Sequence, residues 1–214
     1  MMEDFEKLFD EILQKFDYVK LSDVPNIELY MDQVTTFMDR MLSGISRDPE
    51  HDKILTKTMI NNYTKNNVLM PPVKKKYGLD HIILLLMIYY MKSFLSISDI
   101  AKILAPVKER YIHEQAVERG RRQSKTQALN TGSGADGDGH DEISLERIYQ
   151  EIFSGLEKEL DYISEDVRQK LSRSNGVFSD ADNEDREILQ KFDLICRISA
   201  DIYIKKLFIE RILD

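Results

Sequence analysis

Apolar residues recur along this chain at three- and four-residue steps, the pattern of helices that bury one face. Phe5, Leu8, Phe9, Ile12, Leu13 and Phe16 share one side of a helix predicted over residues 4–16. Pro25 and Asn26 interrupt the pattern, and Met31, Val34, Phe37, Met38 and Met41 resume it over residues 29–42. Gly44, Asp48 and Pro49 end that element. Thr56 then stands where an N-cap is needed, opening a helix that reaches Asn66 with Ile60 and Tyr63 turned inward.

The next stretch reads as a tight sequence of short elements. Val68, Leu69 and Met70 pack back, Pro71 and Pro72 stop the helix, and Lys74, Lys75, Lys76 and Tyr77 form a short extended piece. A long apolar helix follows over residues 80–94. Ser96, Ile97, Ser98 and Asp99 form a variant of the capping box and start a further helix, predicted to end at Pro106.

Beyond Pro106 the chain is polar. Residues 108–128 are partly helical in pattern, and NTGSGADGDG at 130–139 has linker composition. Two long helices come after it. Leu145, Ile148, Ile152, Leu156, Leu160, Ile163, Val167 and Leu171 keep the helical step, starting from Ser144 or Asp141. Asn175 and Gly176 break it. The last helix, over residues 184–213, holds Ile188, Phe192, Ile195, Ile198, Ile202, Ile209 and Leu213 on one side and further apolar residues elsewhere. So wide a belt predicts burial on most sides. Both a core helix within one chain and a homodimer through the C-terminal helices satisfy that demand. The organisation expected is therefore all-α: N-terminal helices and a helix-turn-helix module over 1–106, a polar flexible linker over 107–142, and a C-terminal helical pair over 143–214.

Composition narrows the setting. The chain has 214 residues, of which 42% are hydrophobic, enough for one good core or two small ones. Its single cysteine, Cys196, leaves no disulfide framework or thiolate cluster, and reads as a small apolar core residue. The start, MMEDFEKLFDEIL, is acidic and lacks the positive, then apolar, layout of an export signal. The apolar run over residues 82–91 falls short of the roughly 20 residues a bilayer requires. A cytoplasmic protein with no membrane association is expected.

Net charge is −8, which taken alone argues against nucleic acid. The charge is unevenly spread. From Lys53 to Lys125 there are 14 basic residues against five acidic ones, a local balance of +9 that leaves −17 for the rest. A basic middle between acidic ends can attract phosphate, because fields are screened beyond about 8 Å in physiological salt. The predicted helix after Thr56 turns Lys57, Thr58, Asn61, Asn62 and Lys65 outward. Asparagine can bond adenine bidentately in the major groove, and lysine supplies charge for phosphates. Lys74, Lys75, Lys76 and Tyr77 would flank it as a small basic wing.

Motifs for catalysis are missing: the sequence has no P-loop, GxSxG or HExxH, and its one GxGxxG spacing, Gly132 to Gly137, falls within the stretch of linker composition. His51, His81, His113 and His140 share no ligand spacing, and Glu157 with Asp161 reads as a solvated face. Asp136 and Asp138 lack the remaining ligands of a calcium loop. No enzyme, metal or cofactor is expected.

The order of elements resembles the winged helix-turn-helix of MerR-type transcription regulators. Carrying the likeness are Thr56 as cap, Tyr63 in the following helix, the Val68-to-Pro72 turn, Lys74 to Tyr77 as wing, and Ser96-Ile97-Ser98-Asp99-Ile100 as the next helix start. Asn61 stands where that family usually has arginine, and the wing is short. The phrases YMDQVTTFMD, LTKTMINNYTKN, PPVKKKY and SISDI within residues 26–104 also resemble an uncharacterised bacterial family, a domain of unknown function, and the resemblance is expected to continue into the C-terminal helices. The MerR likeness implies sequence-specific binding of double-stranded DNA and hence transcription regulation. The alternative is a non-catalytic helical module for protein–protein interaction through the acidic ends.

Overall fold

The computed structural model describes residues 2–16, 18–46, 54–112 and 143–214. Among them are seven helices: α1 (Met2–Lys15), α2 (Met31–Leu42), α3 (Lys57–Lys65), α4 (Leu79–Met91), α5 (Ile97–Tyr111), α6 (Leu145–Asn175) and α7 (Asn183–Ile212). Two short strands, β1 (Leu29–Tyr30) and β2 (Lys76–Tyr77), pair antiparallel with Leu29 opposite Tyr77 and Tyr30 opposite Lys76. The all-α class holds, with this small sheet added. The loop at 47–53 and the polar stretch at 113–142, including His51, His113, His140 and the Asp136–Asp138 spacing, lie outside the described residues. No described helix is long and apolar enough to cross a membrane.

Two compact units are each assembled from separated stretches of the chain. Unit 1 takes Met1–Val19, Met38–Ile54 and Ile152–Asp214, and unit 2 takes Lys20–Phe37 and Leu55–Glu151.

Unit 2 is built around α4. Every residue from His81 to Ile88 is buried, and a helix apolar on all sides belongs in the middle of a core. Ile60 and Tyr63 of α3, Ile100 and Leu104 of α5, and Leu145 and Tyr149 of α6 are buried in the same unit. Ser96 caps α5 as its sequence suggests, its Oγ accepting from the Asp99 amide at 3.1 Å. Pro106, however, does not end that helix. α5 runs through it to Tyr111, with Leu104 and Ile112 buried on either side. Proline removes one helical hydrogen bond and crowds the preceding turn, at about 3 kcal/mol. The buried flanks hold the helix together across that defect.

Unit 1 is more open. Arg168 of α6 reaches Glu6 at 3.0 Å and Asp10 at 2.5 Å on α1. Gln190 of α7 is buried, and its amide donates to the carbonyls of Asn175 (2.9 Å) and Val177 (3.0 Å), closing the C-terminal end of α6. Asp193 accepts from Arg197 at 2.6 Å and from Ser174 Oγ at 2.7 Å, and these bonds, the Arg197 one foremost, hold its carboxyl below the usual range. Among the described residues the broad apolar belt of α7 is only partly covered: Ile188, Phe192, Ile195 and Ile202 are exposed, and Ile198, Ile209 and Leu213 are half-buried. Cys196 is exposed too, not a core residue. It lies on the same outward side of α7 that leaves Phe192 and Ile195 uncovered.

Candidate nucleic-acid interface

Both ends of α3 are fixed by local hydrogen bonds. Thr56 Oγ accepts from the Met59 amide at 3.1 Å, the bond expected of an N-cap. At the other end Asn67 takes a left-handed conformation (φ 54°), the Val68 amide bonds the Tyr63 carbonyl at 2.9 Å, and the Asn67 amide bonds Thr64 O at 3.2 Å. That pair of bonds is the Schellman termination, here with asparagine in the place glycine usually takes. Buried Tyr63 and Val68 supply its apolar contact. Lys108 of α5 donates to the Asn67 carbonyl, bringing a cation to the negative end of α3, and burial pulls the lysine's pKa below its ordinary value.

Rotation of about 100° per residue then decides what α3 displays. Ile60 and Tyr63 point into unit 2, while Lys57, Thr58, Asn61, Asn62 and Lys65 are all exposed. They occupy one arc of about 140°. Asn62 Oδ1 accepts from Asn66 at 3.0 Å, leaving the Asn62 amide nitrogen as its available donor. Lys57 pairs with Asp32 in the first turn of α2. An exposed pair of this kind contributes only about 0–1 kcal/mol, so a phosphate can replace the carboxylate.

The lysine triplet is divided between two environments. Val73 and Lys76 exchange backbone hydrogen bonds (Val73 N to Lys76 O 3.1 Å, Lys76 N to Val73 O 2.9 Å) across a two-residue turn. Lys74 and Lys75 are the central residues, at φ 51° and 66°. Positive φ at both positions defines a type I′ turn, which Asn-Gly favours and lysine does not. Both lysines are exposed, and neither has an ion-pair partner among the described residues. Lys76, in contrast, pairs with Glu28 at 3.2 Å and lies 5.8 Å from the centre of the Tyr30 ring.

Tyr77 is on the inner side of the hairpin. Strand alternation sends Lys76 outward and Tyr77 inward, where it is buried with its ring edge-on to His81 (5.4 Å between centres). It therefore belongs to the core and not to the outer basic surface. His81 anchors the hairpin to α4. Its Nδ1 accepts from the Gly78 amide at 3.2 Å, so Nε2 carries the proton and donates to the Pro71 carbonyl at 3.3 Å. Burial lowers the His81 pKa from the ordinary value of 6.5.

Glu28, Tyr30, Asp32 and Lys108 escaped the sequence reading. Each acts through a partner distant in the chain, and the two-residue strands that bring Glu28 and Tyr30 to the wing have no periodicity to detect.

Residues 19–125, half of the chain, match the family described as a domain of unknown function, DUF1836. The chain belongs to that family. The DUF1836 match takes in α3, the Lys74–Tyr77 hairpin, α4 and α5; it extends past residues 26–104 on both sides but does not reach the C-terminal helices α6 and α7. No curated protein and no solved structure matches the chain. The MerR likeness therefore finds no support among the comparisons.

Proposed function

We propose that this DUF1836 protein binds double-stranded DNA in a sequence-specific way and acts as a transcription regulator, working as a MerR-like winged helix-turn-helix with a short wing. The observation that carries the reading is α3: capped at both ends, it exposes two asparagines among lysines and a threonine on one arc. Asn61 and Asn62 read base edges in the major groove, with Thr58 beside them. Lys57 and Lys65 neutralise phosphates, and the Lys74–Lys75 tip adds two more contacts to the backbone. Lys76 joins them only by leaving Glu28. A homodimer through the C-terminal helices presents two such surfaces to paired half-sites.

Substituting Asn61 and Asn62 by alanine tests the assignment of base reading. On a duplex that the wild-type chain prefers, the variant should lose about 1–3 kcal/mol of discrimination per bidentate contact and keep its salt dependence. Unchanged discrimination would remove α3 as the reading helix.

A further inference from the structure

We infer that α7 closes on a second copy of the chain, running antiparallel to the same helix of that copy. This develops the homodimer of the proposed function, but it draws only on unit 1. Ile188, Phe192, Ile195, Ser199, Ile202 and, after Lys206, Ile209 follow one another in alternating steps of four and three. That is the heptad spacing of a coiled-coil seam, sustained for more than three repeats. The seam lies roughly opposite the side of α7 that holds Gln190 and Leu194, both buried.

Exposure along this seam is high: Ile188 60%, Phe192 64%, Ile195 52%, Ile202 56%, with Tyr203 beside it at 59%. At about 200 Å² for a large side chain, these five present roughly 600 Å² on one face. A standard interface takes about 800 Å² from each partner, and roughly 600 Å² is at the upper end of the largest apolar patch a monomer exposes. Ile209 and Leu213, half-buried, add a smaller area at the end of the seam. Past Phe153, Leu171 and Leu194 are the only buried apolar side chains among the described residues of α6 and α7. Long helices in water depend on packing for stability, so the second copy supplies packing that the described residues of one chain leave open.

Antiparallel pairing follows from the seam's composition. Aligned in parallel and in register, each Lys206 would meet its own counterpart. Reversed about a point between Ser199 and Ile202, the small Ser199 meets the second copy's Ile202, and Lys206 meets an isoleucine while keeping its bond to Glu210 (3.4 Å). Reversal also sets the acidic first turn (Glu184, Asp185) toward the basic last turn (Arg211) and opposes the helix dipoles.

Light scattering of the full chain should give twice the 25.0 kDa chain mass. Ile195→Glu with Ile202→Glu should halve that mass while far-ultraviolet circular dichroism stays helical. A spin label on Glu187→Cys, in a Cys196→Ser background, tests the direction without touching the seam. Two labels should lie about 40 Å apart in the antiparallel pair, against under about 20 Å in a parallel one. A monomeric wild type, a dimer indifferent to both glutamates, or the short label distance would each overturn the inference. Duplex binding measured on the same samples separates this from the DNA reading: a monomeric wild type that binds duplex sinks the seam alone, and a dimer that binds none sinks the α3 reading alone.

Discussion

Replacing Lys74 by asparagine and Lys75 by glycine should stabilise the protein and weaken its hold on DNA at the same time. Both lysines occupy the left-handed region, at φ 51° and 66°. A side chain with a β-carbon costs about 1 kcal/mol or more in that region, while asparagine tolerates it and glycine is indifferent. Glycine returns about 0.5–1 kcal/mol through the greater freedom of the unfolded chain. The net gain is about 1 kcal/mol, or roughly 2–4 °C in Tm for a chain of this size. Two positive charges vanish from the tip in the same step. If each contacts a phosphate, the log–log slope of affinity against salt flattens by about 1.8. Between about 50 and 200 mM salt the wild type should then lose roughly tenfold more affinity than the variant. Thermal denaturation and a fluorescence-anisotropy salt titration read the two effects independently. Lys74→Gln with Lys75→Gln is the control, flattening the slope without raising Tm. A lower Tm in the Asn-Gly variant would refute the strained turn. An unaltered slope would take the tip out of the DNA contact.

Two further changes probe what holds the site in place. Thr56→Ala removes the N-cap bond to Met59 and should cost about 1 kcal/mol in denaturant unfolding, with Thr56→Ser largely restoring it. His81 gives a pH dependence. Its folded pKa lies below the unfolded value of 6.5, so its contribution is complete above 6.5 and is lost as pH falls through the folded pKa. Urea midpoints at pH 7.5 and 5 should differ more in the wild type than in His81→Gln, and equal differences would discount the buried imidazole.

Much of unit 2 was legible because its signals are local. The Thr56 cap, the inward Ile60 and Tyr63 and the outward polar arc all lie within one helix, where a period of 3.6 residues fixes direction. The helix start at Ser96 was legible for the same reason. Elements made by distant partners were not. The β1–β2 pair spans two residues on each side, too few to show alternation, so Tyr77 looked as available as Lys76 although the pleat sends it to His81. Pro106 looked like a terminus because its local cost is real, but burial of Leu104 and Ile112 outweighs it. The apolar belt of α7 predicts burial on most sides, yet Ile188, Phe192, Ile195 and Ile202 stay exposed in one chain. Periodicity records that demand and does not say which molecule meets it.

Selection of bound duplexes from a randomised pool, using the full-length wild-type chain at low salt, addresses the central claim most directly. Binding through α3 and the Lys74–Lys75 tip predicts one enriched sequence, whose affinity falls steeply as salt is raised. A pool that emerges without enrichment, from a protein that retains no duplex even at low salt, would contradict it.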